Sequence, residues 1–146
     1  MDRSQQLDDM RLEVGRTLDV AQSLKDFYDK IAEIFGACYL KRGSVSVYRH
    51  THGEFQRLSQ FGACPFKEIE TYQHLPFKMC AIRGELTVYY SLHTHSVLVP
   101  FFSQAFLQGV LALHIPRQSF EFDEEDATFL KEVTRFVSNN VHQFTY

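Results

Sequence analysis

Two apolar runs, Val97–Phe102 and Phe106–Ile115, stand almost end to end, separated only by Ser103-Gln104-Ala105. Runs this continuous read as strands covered on both faces. So short a connection makes them antiparallel neighbours. A chain that contains them must supply structure on each side of one sheet.

The remaining segments meet that demand. Leu24, Phe27, Tyr28, Ile31, Ile34 and Phe35 fall at i, i+3, i+4, i+7, i+10 and i+11. That spacing predicts a helix with one apolar face. Asp19 with Gln22 suggests its capping box, and Gly36 its end. Ser4–Val14, with Leu7, Met10 and Val14, predicts an earlier helix stopped by Gly15. Ser44–Tyr48 alternates as a half-buried strand, Thr51-His52-Gly53 signals a turn, and Phe55–Phe61 completes a hairpin. Gly62–Met79 is irregular, with Ile69, Tyr72 and Leu75 spaced for one short helix. Leu86, Val88 and Tyr90 mark another strand. A last helix carries Phe129, Leu130, Val133, Phe136, Val137, Val141 and Phe144 on one stripe. Asp123–Asp126 crowd its start, where negative charge complements the helix dipole. The stripe persists to Tyr146, which suggests a fragment of a longer protein or a terminus that packs on a partner.

These elements predict an α+β domain with an antiparallel sheet of about five strands, occupying residues 1–146 as a single unit. The formal charge of −3 argues against direct nucleic-acid binding. No apolar run reaches the roughly 18–20 residues of a membrane span, and the N-terminus lacks a signal-peptide core. Three cysteines, Cys38, Cys64 and Cys80, show no paired metal spacing, so the expected setting is the reducing cytoplasm.

From about Leu18 onward the chain resembles the GAF domain, a family of small-molecule sensor and dimerisation modules. The C-terminal third carries the resemblance: Val97-Leu98-Val99-Pro100-Phe101-Phe102, then Gly109-Val110-Leu111-Ala112-Leu113, then Phe122-Asp123-Glu124-Glu125-Asp126. The resemblance implies terminal helices on one face of the sheet and loops with a short helix on the other. It also implies a ligand pocket, transmission through the terminal helices, and a place in a larger bacterial signalling or transcription-regulatory protein.

The departures narrow the ligand. Cyclic-nucleotide-binding members carry an Asn-Lys pair where this chain has Pro116-Arg117, and an Asp-Glu pair where Asp126 is followed by Ala127. Bilin-binding members pair a cysteine with a histidine, whereas Ala81 follows Cys80. Nothing singles out an axial haem ligand. Members that reduce free methionine sulfoxide place several cysteines in glycine-rich loops, and Cys64 and Cys80 do not sit in such sequences. The short connection around Thr94 and His95 leaves no room for a covering helix, which predicts a reduced or open pocket.

Candidate ligand-binding residues are Tyr48, Tyr72, His74, Cys80, Tyr89, Phe102 and His114, with Phe101 and Phe106 as further apolar lining. Cys80, with Lys78 and Arg83 near in sequence, is also the candidate redox thiol, against the simpler reading of an inert buried cysteine. His50-Thr51-His52 and His93-Thr94-His95 each place two imidazoles on one face, but the two tripeptides fall at opposite ends of the sheet and build no common metal site. Leu7, Met10, Val14, Val133, Val137 and Phe144 are candidates for a homodimer interface through the terminal helices, with residues 1–17 as a dimerisation or linker helix. Phosphate-loop, nucleophile-elbow and zinc-protease motifs are absent, which predicts no enzymatic activity. The expected function is a sensor of an unidentified small molecule. A ligand-free interaction module is the alternative, and a small cysteine-dependent redox enzyme the third.

Overall fold

The structure, a computed structural model, describes residues 3–36, 43–117 and 122–144. Cys38 and Tyr146 lie outside the described residues. The order of elements is α1 (Arg3–Val20), α2 (Leu24–Ile34), β1 (Ser44–Thr51), β2 (Glu54–Phe61), β3 (Ile69–Thr71), α3 (Leu75–Arg83), β4 (Thr87–Tyr90), β5 (Thr94–Ser103), β6 (Phe106–Pro116) and α4 (Glu124–Asn140). The strands form one antiparallel sheet in the order β3-β2-β1-β6-β5-β4.

Period-two alternation sends half of each central strand to the helices. Val45 and Val47 of β1, Val97, Val99 and Phe101 of β5, and Leu111, Leu113 and Ile115 of β6 share a core with α1, α2 and α4. The expected architecture is observed: terminal helices cover one face, and irregular segments with a short helix cover the other. The sheet has six strands rather than five. The extra one is β3, where Ile69, Glu70 and Thr71 pair with Gln56, Phe55 and Glu54 of β2. The expected helix on Ile69–Leu75 therefore does not form there. It starts at Leu75, with Pro76 in its first turn, where a missing N–H costs nothing.

Helix ends differ from expectation as well. α1 runs through Gly15 to Val20. Leu7, Met10, Val14 and Thr17 form its buried face, and that burial outweighs the roughly 1 kcal/mol helix penalty of glycine. The cap of α2 is Ser23, which accepts from the Asp26 backbone N–H, while Asp26 accepts from Gln22 N. The Asp19–Gln22 pair is not used. α4 opens as expected on its acidic cluster, with a reciprocal capping box between Asp123 and the buried Asp126.

The proposed interface residues also move. Leu7, Met10, Val14, Val133 and Val137 are buried within the chain's own core, and Phe144 stacks on Phe27. The first five hold the terminal helices to the sheet, and Phe144 is partly buried beside them. Arg11 ties the same two helices from outside, pairing with Glu132 at 2.7 Å and lying over the Phe129 ring.

Gly109 permits a close approach between β6 and its neighbours. A Cβ there would strike the Tyr48 carbonyl oxygen and the Phe101 ring. Gly109→Ala is expected to lower unfolding stability by about 1–3 kcal/mol, read as a fall in the urea midpoint at unchanged slope.

Candidate functional site

The other half of the alternation builds the second face. Ser46 and Tyr48 of β1 point there, and the register sets Ser96 of β5 beside His114 of β6, with Tyr89 of β4 beside Ser96. The apolar part of this face, with Phe55, Leu98, Val110 and Ala112 around the Tyr48 ring, is closed by Phe77 and Cys80 of α3. The polar part lies under residues 62–68, which link β2 to β3.

One irregularity positions this region. Val47 pairs with Ser59, but Tyr48 pairs with Arg57, so Leu58 is an extra residue on β2. The bulge turns Leu58 into the helix-side core and keeps Arg57 on the face of Tyr48. Arg57 then donates to the Phe66 carbonyl at 3.1 Å and holds the linking segment down. The Tyr48 hydroxyl donates to the Lys67 carbonyl at 2.7 Å and does the same.

His114 is the centre of the polar part. It is 2% exposed. Its Nδ1 lies 3.0 Å from Ser96 Oγ, and its Nε2 lies 3.2 Å from Ser46 Oγ and 3.6 Å from Cys64 Sγ. Both ring nitrogens thus have hydroxyl partners that can rotate to suit either neutral tautomer. Burial, reinforced by the Arg57 charge, pulls the His114 pKa down to about 4. Burial likewise pushes the Tyr48 phenol well above its ordinary value, and the Cys64 contact adds to the rise. Burial opposes the Arg57 charge too, but its Tyr48 and Cys64 neighbours outweigh that and raise its pKa.

Beside this cluster is an open cleft of about 520 Å³, walled by Pro65, Phe66 and Lys67, then Glu70 and His74, with Tyr89, Ser91, Thr94 and Ser96 opposite. Phe66 meets His74 and His114 edge-on, at 4.8 and 4.7 Å between ring centres, and so separates the cleft from the buried imidazole. Glu70 is buried and accepts from Lys67 N at 2.9 Å. Its Oε2 also lies 3.0 Å from His74 Nδ1, near enough to pair with a protonated ring. The alignment is too poor for a hydrogen bond, so that nitrogen has no bonded partner. A smaller cavity of about 180 Å³ opens between Ala63, Pro65, Thr94 and His114.

The structure separates the expected site residues. His74 and Tyr89 line the cleft. His114 and Tyr48 lie beneath the linking segment, next to it. Tyr72 sits outside, bonded to His50 Nε2 at 2.8 Å. Phe102 meets Gly84 at the far end of α3. Cys80 is fully buried under α3, where its thiol pKa is pushed up to about 12 by burial. Ser46, Arg57, Lys67, Glu70 and Ser96 join the site without being among the residues expected from sequence. Only the serines carried a signal, as polar residues inside apolar strand runs. Among the described residues no three His, Cys, Asp or Glu side chains converge as a metal site, and no helix is long and apolar enough to cross a membrane.

No protein-family model and no curated protein matches the chain. Solved structures do. The GAF domain of an Acinetobacter phosphoenolpyruvate-protein phosphotransferase superposes with a TM-score of 0.79 at 18% identity, covering 98% of this chain and 96% of that one. The corresponding domain from Coxiella burnetii gives a TM-score of 0.82 at 13% identity, covering 97% and 96%. The chain has the fold of a GAF domain. The free methionine-R-sulfoxide reductase of Neisseria meningitidis shares that fold, with a TM-score of 0.75 at 17% identity over 91% of this chain and 88% of that one. This last likeness corrects the expectation that the chain is not an enzyme. Catalytic proteins are built on the same fold, and missing motifs of unrelated enzyme classes do not speak to them.

The buried neutral His114 makes stability depend on pH. Its folded pKa is below the unfolded value of 6.5, so protons favour the unfolded chain. Its contribution is complete above about pH 6.5 and is lost as pH falls towards about 4, by up to about 3 kcal/mol. In thermal melts, His114→Gln should lose less stability than the parent between pH 7 and 4.5. Parallel losses would show that His114 is not the titrating group.

Proposed function

We propose that this chain is a regulatory sensor domain whose cleft takes a small polar molecule. The observation that carries the reading is the cleft itself: Lys67, Glu70 and His74 bring both signs of charge to one wall, with hydroxyls opposite. Few convergent polar groups in a concave site are the usual mark of a small-molecule pocket. The short β4–β5 connection leaves the rim open at Ser91 and Thr94, in keeping with the open pocket expected from the sequence.

A route outward supports the regulatory part. His114 lies between Leu113 and Ile115, which face the helix-side core. Phe102 N donates to Ser138 Oγ at 3.1 Å, joining β5 to α4. A ligand that favours one arrangement of the second face therefore biases the helices on the first. The Acinetobacter and Coxiella structures are domains of larger proteins, and an attached output module is part of this proposal. Pairing of two copies is a further part, with the exposed Leu12 and Val20 of α1 as the residues left to make it.

Native mass spectrometry of the protein purified from cells, with a denatured control, tests both. A defined small-molecule mass lost on denaturation supports the sensor reading. That molecule should then raise Tm, and Lys67→Ala should weaken its binding by about tenfold, the loss of one charge-assisted contact of about 1.4 kcal/mol. A bare protein, with no Tm shift across a panel of amino acids, organic acids and nucleotides, would overturn it.

A further inference from the structure

Cys64 is half-buried among polar side chains. Its Sγ lies 3.5 Å from Ser46 Oγ and 3.6 Å from both the Tyr48 hydroxyl and His114 Nε2. The Arg57 guanidinium lies on the same face, 3.1 Å from the carbonyl oxygen of Phe66, two residues on from Cys64, and interacts with both the thiol and the Tyr48 phenol. The thiol is half-buried, and its chain neighbours Ala63 and Pro65 line the 180 Å³ cavity that reaches His114. Four groups of different chemistry thus converge on one sulfur: a cation, an imidazole, a phenol and an alcohol.

We propose that Cys64 is a peroxide-reactive thiol, a modification site assembled by Arg57, Ser46, Tyr48 and His114. Reactive thiols sit in electropositive, partly exposed surroundings, and structural ones in apolar interiors. Arg57 supplies a fixed positive charge beside the sulfur. The single S–H proton is donated either to Ser46 Oγ or to His114 Nε2; when the thiol ionises, that proton passes to solvent, and the neutral His114 tautomer protonated at Nε2 donates to the bare sulfur. Ser96 suits either tautomer by rotating its hydroxyl at Nδ1.

The step balances with hydrogen peroxide as oxidant. The thiolate sulfur attacks one peroxide oxygen, an S–O bond forms and the O–O bond breaks. The sulfur becomes a sulfenic acid, oxidised by two electrons. The peroxide is reduced by two electrons, and its leaving hydroxide takes a proton from solvent as water. The product adds one oxygen directly behind Pro65, Phe66 and Lys67, the wall of the cleft. Oxidation at Cys64 is independent of what the cleft binds.

The chain contains its own control. Cys80 is fully buried among Phe55, Phe77 and Leu98, and the same oxidant should leave it untouched. The test treats the full chain with hydrogen peroxide and dimedone at pH 7 and maps the adduct by peptide mass spectrometry, which also separates Cys38. The expected result is an adduct on Cys64 and none on Cys80, forming at least tenfold faster than on N-acetylcysteine. Arg57→Gln should slow labelling by about tenfold, and Arg57→Lys should restore most of the rate. Circular dichroism confirms that each variant is folded. An adduct rate at Cys64 no higher than that of N-acetylcysteine overturns the proposal, and that comparison needs no variant. Equal rates in folded Arg57→Gln and parent overturn the role of Arg57 in assembling the site.

Discussion

The β6 strand is buried on both faces from Gly109 to Ile115, and the rest of the structure depends on that constraint. Its buried backbone N–H and C=O groups must be paired, through β1 on one side from Gly109 to His114 and through β5 on the other. The two ladders fix the register, and the register decides which side chains share a face. A slip of one residue would send His114 into the aliphatic core and Leu113 into the polar cluster. The helices and the site therefore read the same ladder in opposite directions.

Within that ladder the bulge at Leu58 is the one place where β2 steps out of phase. It lets Ser59 stay on the helix side, where it donates to Asp29 of α2, while Arg57 stays on the site side. A regular β2 could satisfy one of these and not the other. The bulge thus supplies both the packing of α2 and the cation that anchors the Phe66 carbonyl.

Much of the fold was legible because it rests on long periodic segments. α2, β1, β5, β6 and α4 declare themselves by spacing and bury the faces their spacing predicts. β3 was not legible, because three residues are too few to show a period and Ile69, Tyr72 and Leu75 imitate a helix. Gly15 misled for a related reason: it reads as a stop in isolation, yet α1 is held by tertiary burial on both sides of it. The site was legible only in part. His74 and Tyr89 reach the cleft, but Phe102 is on the same strand as Ser96 and faces the opposite end of α3. Position along β5, not residue type, separates them, and sequence gives no measure of where α3 will lie. Arg57 was invisible because its place depends on a bulge that alternation cannot announce.

The two described cysteines show how far environment outranks neighbours in sequence. Cys80 has Lys78 and Arg83 close along the chain, and these suggested a charged setting. On α3, however, Lys78 and Arg83 are exposed while Cys80 points inward at the sheet, so burial governs and the proton is held tightly. Cys64 has Lys67 at the same separation as Cys80 has Arg83, but that lysine does not set its surroundings. Its charged and polar company arrives from β1, β2 and β6, brought together by the register and the bulge. A thiol's chemistry follows the charges that face it in space, and in this fold the sheet, not the local sequence, provides them.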